Sequence, residues 1–169
     1  MNKAKHDALS SIDIRPAEPS DAHGMTTLLN KIIAKGGTTA HKEPFDEAKI
    51  MSTFIQTPSR ICCFVAVYKH RIVGFQFLEW SDPHWPGEDR YPVDWGIIST
   101  FIDVDHQGKG IGRALFEKTL EAAQGCRWCS AIDATIRRYN VGGLAYYHKM
   151  GFVDYKSTTE NVSKRYDLR

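Results

Sequence analysis

The residues best suited to chemistry form a glycine-rich segment, Gln107-Gly108-Lys109-Gly110-Ile111-Gly112-Arg113. It follows an apolar strand pattern and precedes an amphipathic helix pattern. Three alternate glycines at such a turn let backbone amides point outward together, and the helix start adds unpaired N–H groups and the positive end of its dipole. Lys109 and Arg113 add positive charge. The segment predicts an anion site that suits a pyrophosphate. The alternative interpretation is a flexible, glycine-containing turn with basic residues at the surface.

Two other phosphate motifs do not fit this segment. A dinucleotide-binding turn has the pattern G-x-G-x-x-G, and here the third glycine comes one residue early, with Arg113 in its place. Asp133 has roughly the spacing of the acid that binds a ribose in that fold, but too little chain follows for its further strand–helix units. A triphosphate-binding P-loop ends in Gly-Lys-Ser or Gly-Lys-Thr, and the sequence contains neither. We exclude both motifs.

The glycine-rich segment resembles the Q/R-x-x-G-x-G/A loop with which the GCN5-related N-acetyltransferase (GNAT) family binds the pyrophosphate of acyl-CoA. A second segment, Asn140 followed by residues 145–152, is similar to the family's N…Y-x-K-x-G-F pattern. Both occur in the family's order, and the resemblance is clearest from Trp95 to Phe152. Residues 99–102, Ser-Thr-Phe-Ile, most resemble the phosphinothricin acetyltransferase branch, whose members acylate small amino acids and their analogues.

The resemblance implies that acetyl-CoA is a cosubstrate and that no metal is needed. Thr100, Phe101 and Ile102 match the positions whose backbone holds the pantetheine arm and polarises the thioester carbonyl. Asn140 matches a position that contacts the cofactor arm, and it can equally serve as a helix cap. The positions that match the diphosphate-binding loop are Gln107, Gly108, Lys109, Gly110, Ile111, Gly112 and Arg113.

Tyr147 matches the family tyrosine that protonates the departing thiolate. The Gly151-Phe152 ending selects Tyr147 over its neighbour Tyr146, which we expect to lie in the core. A phenol with a pKa of about 10 is only modestly weaker than a thiol at about 8.5, so the proton transfer is feasible.

The general base is less clear. An ammonium group must lose a proton before it can attack. The phosphinothricin branch often carries a glutamate two residues before the position of Ser99, and this chain has Ile97 there. Glu79, Asp94 and His84 lie near predicted strand ends and are the candidates, although each fits a solvated surface group as well. The base can also act through water or be unnecessary.

The irregular segment 81–92 is rich in proline and charge and carries the candidate substrate residues. These are His84, Trp85 and Arg90, of which Arg90 is the candidate to hold a substrate carboxylate. A loop of this length with two large aromatic residues is typical of a substrate lid. A surface loop without a role in binding fits the pattern equally well.

Net charge, apolar runs and cysteine spacing limit which partners and which cellular location the sequence predicts. A net charge of +2 gives no electrostatic case for nucleic acid. The longest apolar run, Ile61 to Tyr68, is too short to span a bilayer, and the N-terminus lacks a signal-like run. We therefore expect a cytoplasmic protein without a membrane partner. Cys126 and Cys129 have the spacing of half a metal site, but the adjacent Cys62 and Cys63 do not supply the other half, so we expect structural cysteines.

The predicted elements indicate an α/β (α+β) fold. A strand at 93–104, a helix at 110–124 and a strand at 129–135 form a parallel, right-handed β-α-β unit. The resemblance implies a GNAT-like mixed, mostly antiparallel twisted sheet of about six to seven strands with about four helices. Residues 1–11 are predicted to be a flexible lead-in, and 12–169 a single acetyltransferase domain.

These patterns favour an acetyl-CoA-dependent N-acetyltransferase that acts on a small primary amine, an amino acid or its analogue, by direct acyl transfer. One alternative is a protein or peptide N-acetyltransferase, which needs an open groove. Another is a non-catalytic acyl-CoA sensor, which the absent strand glutamate would suit and which Tyr147 argues against. The resembled branch often forms homodimers, and the sequence decides neither the oligomeric state, the acyl length nor the acceptor.

Overall fold

The computed structural model describes residues 11–87 and 90–169, so residues 1–10 of the expected lead-in lie outside the described part. The strands found there are β1 Ile12–Pro16, β2 Arg60–Tyr68, β3 Arg71–Trp80, β4 Trp95–Ile102, β5 Ala131–Arg137, β6 Val153–Ser157 and β7 Asn161–Asp167. The α-helices found there are α1 Ala22–Lys35, α2 Glu47–Ile50, α3 Ile111–Gly125 and α4 Val141–Lys149. These elements form the α/β fold that the sequence predicts.

The strands form one sheet in the order β1-β2-β3-β4-β5-β7-β6. Neighbouring strands pair antiparallel, except that β4 and β5 are parallel. Parallel strands cannot be joined by a tight turn, and α3 supplies the crossover between them. The expected mixed, mostly antiparallel sheet with a central β-α-β unit is confirmed.

One face of the sheet is covered by α1 and α2. The apolar stripe of α1 includes Met25, Leu29 and Ile32, which are buried against aromatic side chains of β3 and β4. The apolar spacing of Ala48, Ile50, Met51, Phe54 and Ile55 predicts one helix. Instead α2 is a single turn that widens into a π-helical turn, Met51–Ile55, which places Phe54 within the same aromatic cluster.

The opposite face is covered by α3 and α4. Leu115, Phe116 and Ala123 of α3 are buried, and Tyr147 of α4 packs against Phe152. Alternate residues of β5, Ile132, Ala134 and Ile136, point into this layer. The intervening residues of β5 therefore face the other side of the sheet.

The connections differ in detail from the sequence patterns. The strand expected at 93–104 is shorter, because Asp103 begins a 3-10 turn, Val104–His106, and its side chain accepts from the Asp105 amide. The hairpin between β2 and β3 turns at Lys69 and His70, both with positive φ. Residues 81–92 form the expected irregular loop, of which 88 and 89 lie outside the described residues. In the part of the chain that the structure describes, no helix is long and apolar enough to cross a membrane.

Candidate active site

The central feature of the site is a gap between the two parallel strands. Pairing between β4 and β5 stops at Ile97 and Asp133, whereas β4 continues to Ile102 with every residue paired to β3. Beyond Ile97 the edge of β4 that faces β5 is therefore left without a strand partner. A cleft of about 970 Å³ opens there, and it runs from this gap to the glycine-rich segment.

The glycine-rich segment forms one end of the cleft. Gly108 and Gly110 have φ of +72° and +87°, a backbone conformation that disfavours other residues. Helix α3 begins at Ile111, and Ala114 donates the first intrahelical hydrogen bond, to the Gly110 carbonyl. The amides from Ile111 to Arg113 precede that bond and are available to an anion at the positive end of the helix dipole.

Six of the seven predicted loop residues line this cleft, namely Gln107, Gly108, Gly110, Ile111, Gly112 and Arg113. The exception is Lys109, whose Nζ donates to the Asp105 carbonyl at 2.9 Å. Thr100, Phe101 and Ile102 also line the cleft, along the edge of β4 that β5 leaves open.

The cleft has a one-sided charge. Among the described residues its lining includes four cationic side chains and no carboxylate; the cations are Lys35, Arg113, Arg137 and Lys149. Cations in a concave site attract a polyanion and hold it at close range. Sequence reasoning identified only Arg113, because the other three come from α1, β5 and α4 and meet only in the folded chain.

A directed hydrogen-bond network leads to Tyr147. The Tyr146 hydroxyl donates to the Gly112 carbonyl at 2.7 Å, so it accepts from Gln76 Nε2 at 3.1 Å. The same Gln76 nitrogen donates to Thr100 Oγ1 at 2.8 Å. The Thr100 and Tyr147 hydroxyls lie 2.8 Å apart, and either one can donate to the other. When Thr100 is the donor, the Tyr147 proton is available to a group in the cleft, because Tyr147 lines the cleft.

Burial sets the ionisation of the two tyrosines. It raises the pKa of Tyr146 to about 12 and raises the pKa of Tyr147 further. Tyr147 is therefore a neutral hydrogen-bond donor at every physiological pH. Full proton transfer to a thiolate is more uphill than for an exposed phenol, and the donation from Thr100 partly offsets this by stabilising the phenolate.

Tyr146 was expected in the core, and it lies partly buried at the cleft wall, where it connects α4 to α3. A Cβ on Gly112 would lie 2.7 Å from the Tyr146 ring. The third glycine of the segment is thus required by this contact, because the backbone and the ring approach too closely for a side chain.

Asn140 begins α4 as a cap. Its side-chain oxygen accepts from the Gly143 amide at 2.9 Å, and its Nδ2 donates to the Thr38 carbonyl at 3.2 Å. The expected capping role is present. A contact with the cofactor arm stays a prediction, and the second hydrogen of Nδ2 is the group that could make it, since Asn140 lines the cleft.

A second, smaller pocket of about 130 Å³ adjoins the cleft. It is lined by Arg90, Tyr91, Pro92, Trp95, Thr135, Tyr155, Lys156, Thr158, Asn161 and Ser163. Thr135 and Asn161 line both the pocket and the cleft. At about 130 Å³ against about 970 Å³, this pocket is much smaller than the cleft.

The predicted base and substrate residues are scattered around these spaces. Glu79 accepts from the Ser59 hydroxyl at 2.8 Å, and burial raises its pKa, but it lines neither cavity. Asp94 is half-buried next to β4, and its backbone carbonyl accepts from the Ser130 amide. His84 and Trp85 are exposed and line neither cavity. Arg90 lines the small pocket.

Asp133 was not among the residues that the sequence predicted for the site, and it hydrogen-bonds two residues that line the small pocket. It is completely buried and accepts from the Tyr155 hydroxyl at 2.7 Å and from Thr135 Oγ1 at 3.1 Å. Burial raises its pKa to about 6, against the lowering effect of these hydrogen bonds. The signal in the sequence was the polar pair Asp133 and Thr135, two apart in an otherwise apolar strand and hence on one face.

The cysteines take no part in either cavity. Cys62, Cys63 and Cys129 are buried, and burial raises the pKa of Cys62 and of Cys63 to about 12. These thiols behave as apolar core groups. Within residues 11–87 and 90–169, no group of three or more His, Cys, Asp or Glu side chains is arranged to hold a metal ion.

Comparison with known proteins bears on this geometry. A sequence model of the Acetyltransferase (GNAT) family matches residues 26–152. An uncharacterized N-acetyltransferase of Methanocaldococcus jannaschii is 30% identical over 120 residues, which cover 69% of this chain and 67% of that protein. A peptidyl-lysine N-acetyltransferase of Salmonella typhimurium is 35% identical over 69 residues, 40% of this chain and 43% of that protein. The chain thus matches less than half the length of this second relative.

Solved structures share the fold. A phosphinothricin acetyltransferase from Sinorhizobium meliloti in complex with acetyl-CoA aligns with a TM-score of 0.77 at 17% identity, covering 94% of this chain and 89% of that one. At this identity the likeness shows the common architecture.

Proposed function

Since this chain belongs to the Acetyltransferase (GNAT) family, we propose that it transfers the acetyl group of acetyl-CoA to the amine of a small molecule, an amino acid or a close analogue. The chain is an N-acetyltransferase, and acetyl-CoA is its cosubstrate. The acceptor class and the roles of individual residues are the parts that we propose.

One observation supports this assignment most: the large cationic cleft and the small pocket share the lining residues Thr135 and Asn161. A long anionic donor and a compact acceptor would bind in spaces of this kind. The reacting groups would then meet beside the open edge of β4, next to Tyr147. The residues of the cleft fit a CoA-type ligand, because the glycine-rich segment supplies backbone amides that can bind phosphate. The described lining residues include no carboxylate that would repel the phosphates.

We assign the binding of the donor to three groups of residues. The amides from Gln107 to Arg113 would hold the pyrophosphate, with Arg113 and the other cations of the cleft adding charge. The unpaired backbone edge of Thr100, Phe101 and Ile102 would hold the pantetheine arm as an additional strand would be held. An amide of this edge directed at the acyl oxygen would stabilise negative charge there by a few kcal/mol.

For the chemical step, bound acetyl-CoA supplies an activated acyl group as a thioester. Tyr147 would donate its hydrogen bond, and then a proton, to the sulfur as the C–S bond breaks. Thr100 Oγ1 lies 2.8 Å from the Tyr147 oxygen and would donate its hydrogen bond to that oxygen through this change. The burial of Tyr147 excludes water from the donor.

The small pocket favours an amino acid over a plain amine. Arg90 and Lys156 line it together with the aromatic rings of Tyr91, Trp95 and Tyr155. A guanidinium recognises a carboxylate with paired hydrogen bonds, and the aromatic walls suit a short side chain. We therefore propose that Arg90 binds the carboxylate of the acceptor, while the amine faces Thr135.

A peptide acceptor is the second candidate, and one observation favours it. The Salmonella typhimurium relative acts on peptidyl-lysine. A lysine side chain is itself narrow and could enter the small pocket from its mouth.

A cytoplasmic location, a homodimer and a single domain spanning 12–169 stay predictions from the sequence. One continuous sheet from Ile12 to Asp167 supports the single domain.

Release of the free CoA thiol from acetyl-CoA tests the proposed function. The panel contains amino acids, the corresponding amino acid amides, polyamines and lysine peptides. We expect turnover with at least one amino acid and weaker turnover with its amide. Turnover confined to lysine peptides would assign the protein to the second candidate, and tight acetyl-CoA binding without any turnover would indicate a sensor.

Substitution of Arg90 tests the acceptor class. Arg90→Gln should raise KM for the preferred amino acid about tenfold or more, leave KM for its amide unchanged, and leave acetyl-CoA binding intact. Arg127→Gln is the matched control, because Arg127 is exposed and lines neither cavity. If Arg90→Gln raises KM equally for the amino acid and for its amide, Arg90 does not bind the carboxylate.

A further inference from the structure

Two carboxylates flank the position where the resembled branch often carries its strand glutamate. Glu79 of β3 is the register partner of Ile97, and Ile97 is the register partner of Asp133 on β5. Register partners on neighbouring strands point to the same face of a sheet. Glu79, Ile97 and Asp133 therefore form a row across three strands, on the face that also carries Thr135 and the small pocket.

Only one of these carboxylates is connected to the small pocket. The contact of Glu79 is with Ser59, at the start of β2 on the opposite side of β3 from the pocket. Asp133 instead accepts from Tyr155 and Thr135, and both of those residues line the pocket. A group bound in the pocket is thus separated from Asp133 by a single hydroxyl.

The Thr135 hydroxyl has a defined direction. It gives its one proton to Asp133 Oδ2, so its oxygen accepts from the Tyr91 hydroxyl at 3.1 Å and the Ser163 hydroxyl at 2.8 Å. An ammonium group in the pocket can take the place of one of these donors without reversing the bond to Asp133. The Thr135 hydroxyl therefore links a donor in the pocket to the carboxylate of Asp133.

We propose that Asp133 accepts the proton that the acceptor ammonium must lose, through the hydroxyl of Thr135. This role rests on the proposed function, because it needs an amine in the small pocket. An N–H bond of the ammonium breaks as its proton moves to Thr135 Oγ1, and the proton of Thr135 moves to Asp133 Oδ2. The lone pair that this leaves on nitrogen forms the bond to the acyl carbon.

The remaining steps balance the reaction. The C–S bond breaks with its electron pair moving to sulfur, and the second proton of the attacking nitrogen replaces the one that Tyr147 gives to the thiolate. In each turnover one proton ends on the thiol and one on Asp133, from which it returns to solvent. No oxidant, reductant or metal is needed.

The surroundings of Asp133 suit a base. Burial makes it more basic than an exposed aspartate, and its pKa of about 6 leaves it ionised at neutral pH. Its register partner on β7 is Arg165, and its partner on β4 is the apolar Ile97. The titratable and charged groups that face it from the packed elements are Tyr155 and Lys156 of β6, Tyr91 of the loop, Tyr147 of α4 and Arg165 of β7.

A pH profile separates this role from a structural one. For the parent protein we expect kcat/KM for the preferred amine to rise with pH through a midpoint near 6. Asp133→Asn, which keeps the size of the side chain, should lower kcat about 100-fold or more and leave acetyl-CoA affinity unchanged. Tyr155→Phe removes a hydrogen bond that lowers the pKa of Asp133, so it should move the midpoint to higher pH.

Two controls complete the test. Asp21→Asn changes another buried aspartate, paired with Arg15 at the start of α1, and should leave the pH midpoint in place. Carbon-13 NMR of the Asp133 carboxyl in the intact protein, without substrates, should titrate near pH 6 and move upward in Tyr155→Phe.

The outcomes distinguish failure of the proposed function from failure of the role of Asp133. If the parent protein acetylates no small amine, the proposed function fails and this role fails with it. If the parent acetylates a small amine but Asp133→Asn keeps its rate, the proposed function stands and Asp133 is not the proton acceptor. If Tyr155→Phe leaves the midpoint unchanged, the titrating group is a different residue, and the proposal is overturned.

Discussion

The Tyr147 hydroxyl lies 2.8 Å from Thr100 Oγ1, which in turn accepts a hydrogen bond from Gln76 Nε2. Tyr147→Phe keeps the ring packing against Phe152 and removes only the proton donor. We expect kcat to fall about 100-fold, with acetyl-CoA affinity changed less than about twofold. Stopped-flow thiol release and calorimetry measure the two quantities.

A matched control for this substitution is Tyr68→Phe, since Tyr68 is half-buried at the end of β2 and lines neither cavity. It should keep the parent rate. A Tyr147→Phe protein that turns over at the parent rate would assign the proton donor to another group.

Asp133 also affects stability, in a direction opposite to that of most carboxylates. Its pKa is raised from 3.8 to about 6 in the folded state, so the native protein binds more protons than the unfolded chain between these values. Stability therefore falls as pH rises from about 4 to 6, by roughly 3 kcal/mol in total at about 1.4 kcal/mol per pKa unit. Asp133→Asn should remove this loss and be more stable than the parent at pH 8, although less active.

Urea unfolding at pH 4.5 and pH 8 measures this effect. Asp21 provides the opposite case, because although burial raises its pKa, hydrogen bonds from Arg15 and the Glu18 amide lower it overall. The stability contributed by Asp21 is present at neutral pH and is lost as pH falls, so Asp21→Asn should be most destabilising at pH 8. Parallel pH dependence of the two variants would contradict the pKa of about 6 for Asp133.

At the scale of elements, the start of α3 and the tyrosines of α4 form one unit. The contact between Gly112 and Tyr146 fixes where the helix amides lie relative to the cleft wall. The α1–α2 connection adds Gly37, Thr38 and His41 to the same cleft, and the Asn140 cap bonds to Thr38. The cleft is thus built where three helices meet the open edge of β4.

Gly112→Ala tests this unit. The added Cβ would lie 2.7 Å from the Tyr146 ring, so either the ring or the helix start must move. Such overpacking costs about 1–3 kcal/mol, and it displaces the amides that would hold the pyrophosphate. We expect acetyl-CoA affinity to fall about tenfold or more, measured by calorimetry.

Gly125→Ala is the control at the other end of α3. A Cβ there meets nothing within 4 Å, and alanine favours a helix by up to about 1 kcal/mol relative to glycine. Affinity should be unchanged and stability equal or higher. Equal losses in the two variants would show that helix content, and not the Tyr146 contact, controls binding.

At the scale of the whole molecule, binding of the donor links the two halves of the sheet. The parallel pair β4/β5 is joined by only three register pairs, whereas β5 and β7 are joined by seven. A ligand that lies in the gap contacts both sides and should stabilise their association. The same ligand would neutralise the cations of the cleft.

Thermal unfolding tests this link. Acetyl-CoA at about 100 times its Kd should stabilise the protein by about 2.7 kcal/mol, which corresponds to a rise in Tm of roughly 5–10 °C for a chain of this size. Added salt should reduce the rise, because the phosphates meet exposed cations. A short acetyl thioester that lacks the nucleotide should give little shift at the same concentration, and an equal shift would place the main contacts away from the glycine-rich segment.

The sequence alone determined the features that depend on local spacing. The glycine-rich segment, the Asn140 cap and the β-α-β unit follow from residues close together in the chain, and the structure places all three as expected. The strand and helix order followed for the same reason, since a strand or helix reveals itself by the period of its apolar residues.

The tertiary structure decided which distant residues meet. The sequence shows Asp133 and Thr135 as polar residues on one face of an apolar strand, but only the sheet order places Asp133 beside Ile97 and one hydroxyl from the small pocket. The cations Lys35, Arg137 and Lys149 converge on the cleft from three elements. Such groups are brought together by strand register and helix packing, which depend on the burial of apolar surface across the whole chain and leave no local signature at the residues themselves.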